Sequence, residues 1–109
     1  MPLVKSMEIY IRTQEEFDEV ATKLCATASL PDLQVQPREG LNLGGGHYFL
    51  FTTGQNEVVF CRNHGEVKVE RMPNHGFYLW VHQGDDTILE AFRNACQKLD
   101  IEHETGNWT

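Results

Sequence analysis

Between positions 47 and 82 the chain falls into short β-rich runs broken by turn residues, and that rhythm narrows the folds open to it. The runs are 48–52, 57–62, 66–71 and 77–82, rich in Val, Phe, Tyr and Trp. Between them lie Thr53-Gly54-Gln55-Asn56, Asn63-His64-Gly65 and Met72-Pro73-Asn74-His75-Gly76. Short strands joined by Asn/Gly turns read as an antiparallel meander. Asn-His-Gly occurs twice, at 63–65 and 74–76, where Asn and Gly tolerate the positive φ of a turn.

A one-sided sheet needs a cover, and the flanking segments supply two. Thr13-Gln14-Glu15-Glu16 has the Ser/Thr-x-x-Glu form of a capping box, so a helix is expected from there to about Ser29. Phe17, Val20, Ala21, Leu24, Cys25 and Ala28 fall on one face of it. Gly84-Asp85-Asp86-Thr87 caps a second helix through about Leu99, with Ile88, Leu89, Phe92, Ala95, Cys96 and Leu99 as its apolar stripe. Upstream, residues 7–12 alternate apolar and polar positions as a half-buried strand does. Residues 33–36 have strand character, but Pro37 and four glycines by position 46 favour a loop. Residues 101–104 read as an edge strand and 105–109 as a frayed tail. The order β-α-loop-β-β-β-β-α-β gives one α+β domain over 1–109. It is a two-layer sandwich: an antiparallel four- to five-stranded sheet with both helices on one face.

A length of 109 residues suits a single core. The formal charge of −7, spread along the chain, repels phosphate backbones and argues against direct binding to nucleic acid or anionic membranes. No apolar run approaches the ~18 residues of a spanning helix, and the first eight residues carry a charge before any signal-like apolar run builds up. Cys25, Cys61 and Cys96 are an odd set without paired spacing, which points to a reducing, cytoplasmic compartment.

The most motif-like stretch, Gly44-Gly45-Gly46, is not a phosphate loop by context. Phosphate-cradling glycines run from a strand into a helix, whereas these lead into the strand-like Tyr48-Phe49-Leu50-Phe51. A turn is the expected role. Cys61-Arg62-Asn63-His64 has the spacing of half a zinc site, but no second pair of ligands is placed to complete it. A Cys61–His64 or Cys61–His82 dyad would need hydrogen-bonding proximity that the spacing does not establish. Asp85 and Asp86 are explained by a helix cap. Neither catalytic residues nor a metal or cofactor are assigned.

Two binding surfaces follow from the meander. Consecutive turns alternate between sheet ends, so Gly44–46, His47, Arg62, Asn63, His64, His82 and Asp85 are expected on one rim, with His75 excluded. Cation, imidazoles and a helix N-terminus there suit a small anion or other ligand, with His47, Arg62, His64 and His82 as its residues. On the sheet face away from the helices, Glu66, Lys68, Glu70, Tyr78, Trp80 and His82 are expected together, a make-up like that of protein-binding hot spots. A homodimer through this face would show the same pattern.

The sequence reading that follows is a small acidic protein-binding module of inhibitor, immunity or regulatory type, docking on a basic or neutral protein. That comparison rests on size and charge alone. The alternative is a small-ligand or anion-binding protein, or a small enzyme, using the His47, Arg62, His64, His82 rim.

Overall fold

The computed structural model describes residues 7–40, 47–54, 56–62, 75–81 and 86–107. Its elements are β1 (Met7–Arg12), α1 (Phe17–Thr27), β2 (Gln34–Glu39), β3 (His47–Thr53), β4 (Asn56–Arg62), β5 (Phe77–Val81), α2 (Asp86–Lys98) and β6 (Glu102–Asn107). The strands form one antiparallel sheet in the order β2-β3-β4-β5-β1-β6. This is the α+β architecture read from the sequence, with six strands in place of four or five.

The two helical stripes bury as their spacing requires. Phe17, Val20, Ala21 and Leu24 of α1 join Ile88, Leu89, Phe92, Ala95 and Cys96 of α2 in the main core. Alternate residues of four strands meet them: Ile9 and Ile11, Phe51, Val58 and Phe60, Leu79 and Val81. Each such side chain, fully buried, contributes about 1.5–3 kcal/mol of hydrophobic stabilisation, offset by the cost of ordering the chain. The interior position of β1 shows on both of its faces, since Glu8 and Tyr10 on the other side are buried as well.

Local signals decide where the helices stop. After α2, Asp100 takes a left-handed φ of 55°. The Ile101 N–H donates to the Cys96 carbonyl at 2.9 Å and the Asp100 N–H to the Gln97 carbonyl at 3.1 Å. These two bonds are the paired closure of a Schellman motif. After α1, Pro31 and Asp32 (φ 52°) reverse the chain, and the Thr53 hydroxyl donates to the Pro31 carbonyl at 2.6 Å. That bond ties the far end of α1 to the far end of β3.

Four expectations change. Thr13 does not cap α1: its Oγ1 accepts the Glu15 N–H at 3.2 Å, and Glu16 stands at the N-cap without a side-chain capping bond. A local turn has competed for the hydroxyl. Residues 34–39, expected as a loop, form β2. Proline is tolerated there because β2 is an edge strand, where a missing N–H on the outer side costs no ladder bond. The tail is paired further than expected, as Gly106 and Asn107 lie opposite Glu8 and Met7. Finally, β4 pairs directly with β5, Cys61 opposite Tyr78 and Arg62 opposite Phe77. The meander reading had set 66–71 between them, a segment that lies outside the described residues.

Candidate functional site

The direct β4–β5 pairing redraws the rim. With β5 antiparallel to β4, Phe77 stands beside Arg62, while Val81 stands beside Val58 at the opposite end of the sheet. The end of β5 at Val81 is therefore removed from the end that holds His47 and Arg62. The helix that begins at the His47 end is α1, because β1 runs antiparallel to β5 and delivers the chain there through Ile11 and Arg12. Of the expected rim residues, His47 and Arg62 are brought to one end. His64, Asn63, Asp85 and Gly44–46 lie outside the described residues, as does His82 itself.

At this end is a cavity of about 290 Å³ lined by Phe17, Asp18, Pro37, Arg38, His47, Tyr48, Phe49 and Arg62. Three consecutive strands supply its two arginines and its imidazole. Arg38 of β2 stands opposite Tyr48 of β3, and Tyr48 stands opposite Cys61, the neighbour of Arg62 on β4. Two strand spacings, about 10 Å, thus separate the two arginine backbones, and the register sets Arg38 on the Tyr48 face of the sheet and Arg62 on the helix face, so the cavity at the sheet end draws on both faces.

Sequence parity fixes how Arg62 is used. It follows Val58 and Phe60 on the helix-facing side of β4, and where the sheet ends its guanidinium carbon lies 4.4 Å from the centroid of the Phe17 ring. Phe17 is itself held among Phe49, Phe60 and Phe77, with centroids 5.1, 4.8 and 5.1 Å away. The cation therefore rests on a rigid aromatic base. Arg38 donates to the neutral amide oxygen of Gln36 at 2.7 Å, and His47 lies 3.8 Å from the exposed Glu39 carboxylate. The first-turn amides of α1, which lack a side-chain cap, add positive potential at the same end. Asp18 is the one carboxylate among the described residues of the lining.

Three other described cations form surface ion pairs. Arg12 meets Glu102 at 3.7 Å, Arg93 meets Glu90 at 2.7 Å, and Lys23 is bonded to Glu15, which raises the lysine pKa.

The face away from the helices is not the open aromatic surface expected. The register lays Tyr48, Cys61, Tyr78 and Tyr10 side by side across four strands. Tyr10 and Cys61 are 0% exposed and Tyr78 is 3% exposed, with the Tyr10 and Tyr78 rings 5.4 Å apart. Trp80 is half-buried against this cluster. The parity assigned to Tyr78 and Trp80 holds, but Tyr78 is withdrawn from any docking role by its burial. Glu66, Lys68, Glu70 and His82 lie outside the described residues.

Burial also settles the chemistry of the thiols. The Tyr78 phenol is raised well above its ordinary pKa, first by burial and then by its hydrogen bond with Cys61. Burial alone pushes the Cys96 thiol up to about 12 and raises that of Cys25. None of these is a ready thiolate. Among the described residues no group of three or more His, Cys, Asp or Glu is placed to hold a metal ion, and no helix is long and apolar enough to cross a membrane.

Comparison with protein-family models, with curated proteins and with solved structures returns no match. The site therefore stands on this chain's own residues. Sequence reasoning found His47 and Arg62 but missed Arg38, Phe17, Asp18 and Phe49. Arg38 was legible only to a reading that let the alternation of 33–36 run on through the proline.

Proposed function

We propose that this protein binds a small anionic molecule in the cavity where β2, β3 and β4 end. One observation carries the reading: Arg38, His47 and Arg62, from three consecutive strands, line a single cavity in a protein whose net charge is −7. Two arginines beside an imidazole, against an acidic background, concentrate anions locally, and low-dielectric aromatic walls strengthen the attraction. The volume lies at the lower edge of the roughly 300–1,000 Å³ typical of small-molecule sites, so the ligand is small. Calorimetric titration with a panel of small carboxylates and inorganic anions tests the reading. Binding by at least one of them, weakened about tenfold or more in Arg38→Gln and Arg62→Gln, is expected from the loss of a charge-assisted bond worth ~1.5–3 kcal/mol. A panel that gives no heat and no shift in melting temperature would defeat it.

Protein docking has one feature in its favour and moves to a new surface. A shallow groove of about 710 Å³ runs beside α2 and the end of α1, lined by Asp86, Thr87, Glu90, Asn94, Thr27 and Ser29 among others. Its carboxylates, Asp86 and the Arg93-paired Glu90, with Lys98 beside them, suit a basic segment of a partner protein, with salt-sensitive association. Reversing both charges (Asp86→Lys, Glu90→Lys) would abolish that association; a partner captured equally by both forms would exclude the groove.

A further inference from the structure

Resting on the reading of the α2 groove as a protein-docking surface, we infer that its occupant is a second copy of this chain, with the two α2 helices packed antiparallel about a twofold axis. The outward stripe of α2 carries both signs of charge, one at each end. Asp86 opens the helix and Lys98 closes it, both exposed and both in the groove lining. At a rise of 1.5 Å per residue their backbones lie about 18 Å apart. Among the described residues neither takes part in an ion pair, whereas Arg12, Lys23 and Arg93 do.

A full match to this stripe needs a base opposite Asp86 and an acid opposite Lys98. A uniformly basic segment meets the first need and places like charges together at the second, which costs binding. A second α2 running antiparallel meets both needs, and meets them twice, because a twofold contact repeats every pairing it makes. The positions are self-complementary: Asp86 with Lys98, Thr87 with Gln97 and Glu90 with Asn94 are all centred on residue 92. The first is an ion pair, the others join polar groups, and no acid faces an acid. Glu90 is bonded to Arg93 through Oε1, which leaves Oε2 to accept from the Asn94 amide. Ala91 and Ala95 form a buried floor, so no bulky side chain there holds a second helix away. The net charge of −7 on each copy opposes approach at long range, but salt near 0.15 M screens that repulsion beyond about 8 Å.

A contact built mainly on one 13-residue helix is small, so association at roughly 100 μM is expected. Sedimentation equilibrium of the full chain in about 0.15 M salt, from about 10 μM to about 1 mM, reads it. The mean mass of the wild-type protein should rise towards that of a dimer across the range. Asp86→Lys leaves a stripe with bases at both ends, and Lys98→Asp one with acids at both ends. Each variant alone should associate about tenfold or more weakly. An equimolar mixture of the two should associate at least as well as the wild type, because each end of one stripe then meets its opposite on the other. Melting temperatures check that both variants are folded. A wild-type protein that stays monomeric throughout overturns the inference and leaves the groove open to a basic partner, which the Asp86→Lys, Glu90→Lys comparison tests separately. No gain on mixing, whatever the variants do alone, overturns it as well.

Discussion

Phe17 joins the fold to the cavity, so its replacement by leucine tests both. The ring is 4% exposed and meets three other phenylalanines at centroid distances of 4.8–5.1 Å, with the Arg62 guanidinium above it. Leucine keeps most of the buried apolar area and removes the ring. Each aromatic pair is worth about 0.5–1.5 kcal/mol beyond area, and a cation–π contact with an exposed guanidinium about 0.5–1 kcal/mol. These contributions share one ring and do not add fully, which sets the expected loss at about 2–3 kcal/mol. For a domain of this size that is a large part of a total near 5–15 kcal/mol. With a urea slope of 1–3 kcal/mol/M the midpoint should fall by about 1–2 M at unchanged slope. Combining Phe17→Leu with Arg62→Gln in a double-mutant cycle should recover a coupling of about 0.5–1 kcal/mol. A loss under about 1 kcal/mol, or a coupling indistinguishable from zero, would refute the claim that this ring organises the sheet end.

Other consequences are independent of the ligand. Thr53→Val should cost about 1–2 kcal/mol in urea denaturation, because the Pro31 carbonyl loses its 2.6 Å donor at equal side-chain volume. Asp100→Gly should stabilise by roughly 0.5–1 kcal/mol, since glycine holds a φ of 55° without strain. Pro37→Thr should leave the melting temperature within a few degrees but increase self-association in sedimentation velocity, as it removes the proline that blunts an edge strand. Stability should fall above about pH 9. The Cys96 thiol is raised from 9.0 to about 12 in the folded protein, so between those values only the unfolded chain gives up its proton. The slope approaches ~1.4 kcal/mol per pH unit, and the contribution is whole below pH 9. Buried Tyr78 adds to the same trend at higher pH. Denaturation midpoints that stay level from pH 8 to 10.5, or fall equally in Cys96→Ala, would contradict this.

The helices and the parity of the strands were legible in the sequence because burial enforces a period. The stripes of α1 and α2 bury as spaced, and Leu79 and Val81 turn to the helices while Tyr78 and Trp80 turn away. Which strands neighbour one another was not legible. Periodicity is a property of one segment, whereas pairing depends on partners distant in sequence, and the bond between β4 and β5 spans residues 63–76. That single pairing sets the end of β5 at the opposite end of the sheet from Arg62, and of the four expected rim residues the described ones, His47 and Arg62, come together. Exposure failed for a related reason. Alternation says that Tyr78 leaves the helix side; it does not say that the second face is solvent. Pro37 misled in a third way, since the rule against proline in strands loses its force at an edge.

The central claim is that β2, β3 and β4 end in a binding cavity. Chemical-shift mapping of uniformly ¹⁵N-labelled protein with the anion that binds best in calorimetry tests it most directly. The account predicts saturable shifts concentrated at Asp18, Arg38, His47, Tyr48, Phe49 and Arg62, with the Arg38 and Arg62 side-chain resonances among the largest. Shifts gathered instead along Asp86, Glu90 and Asn94, or none at millimolar anion, would contradict it.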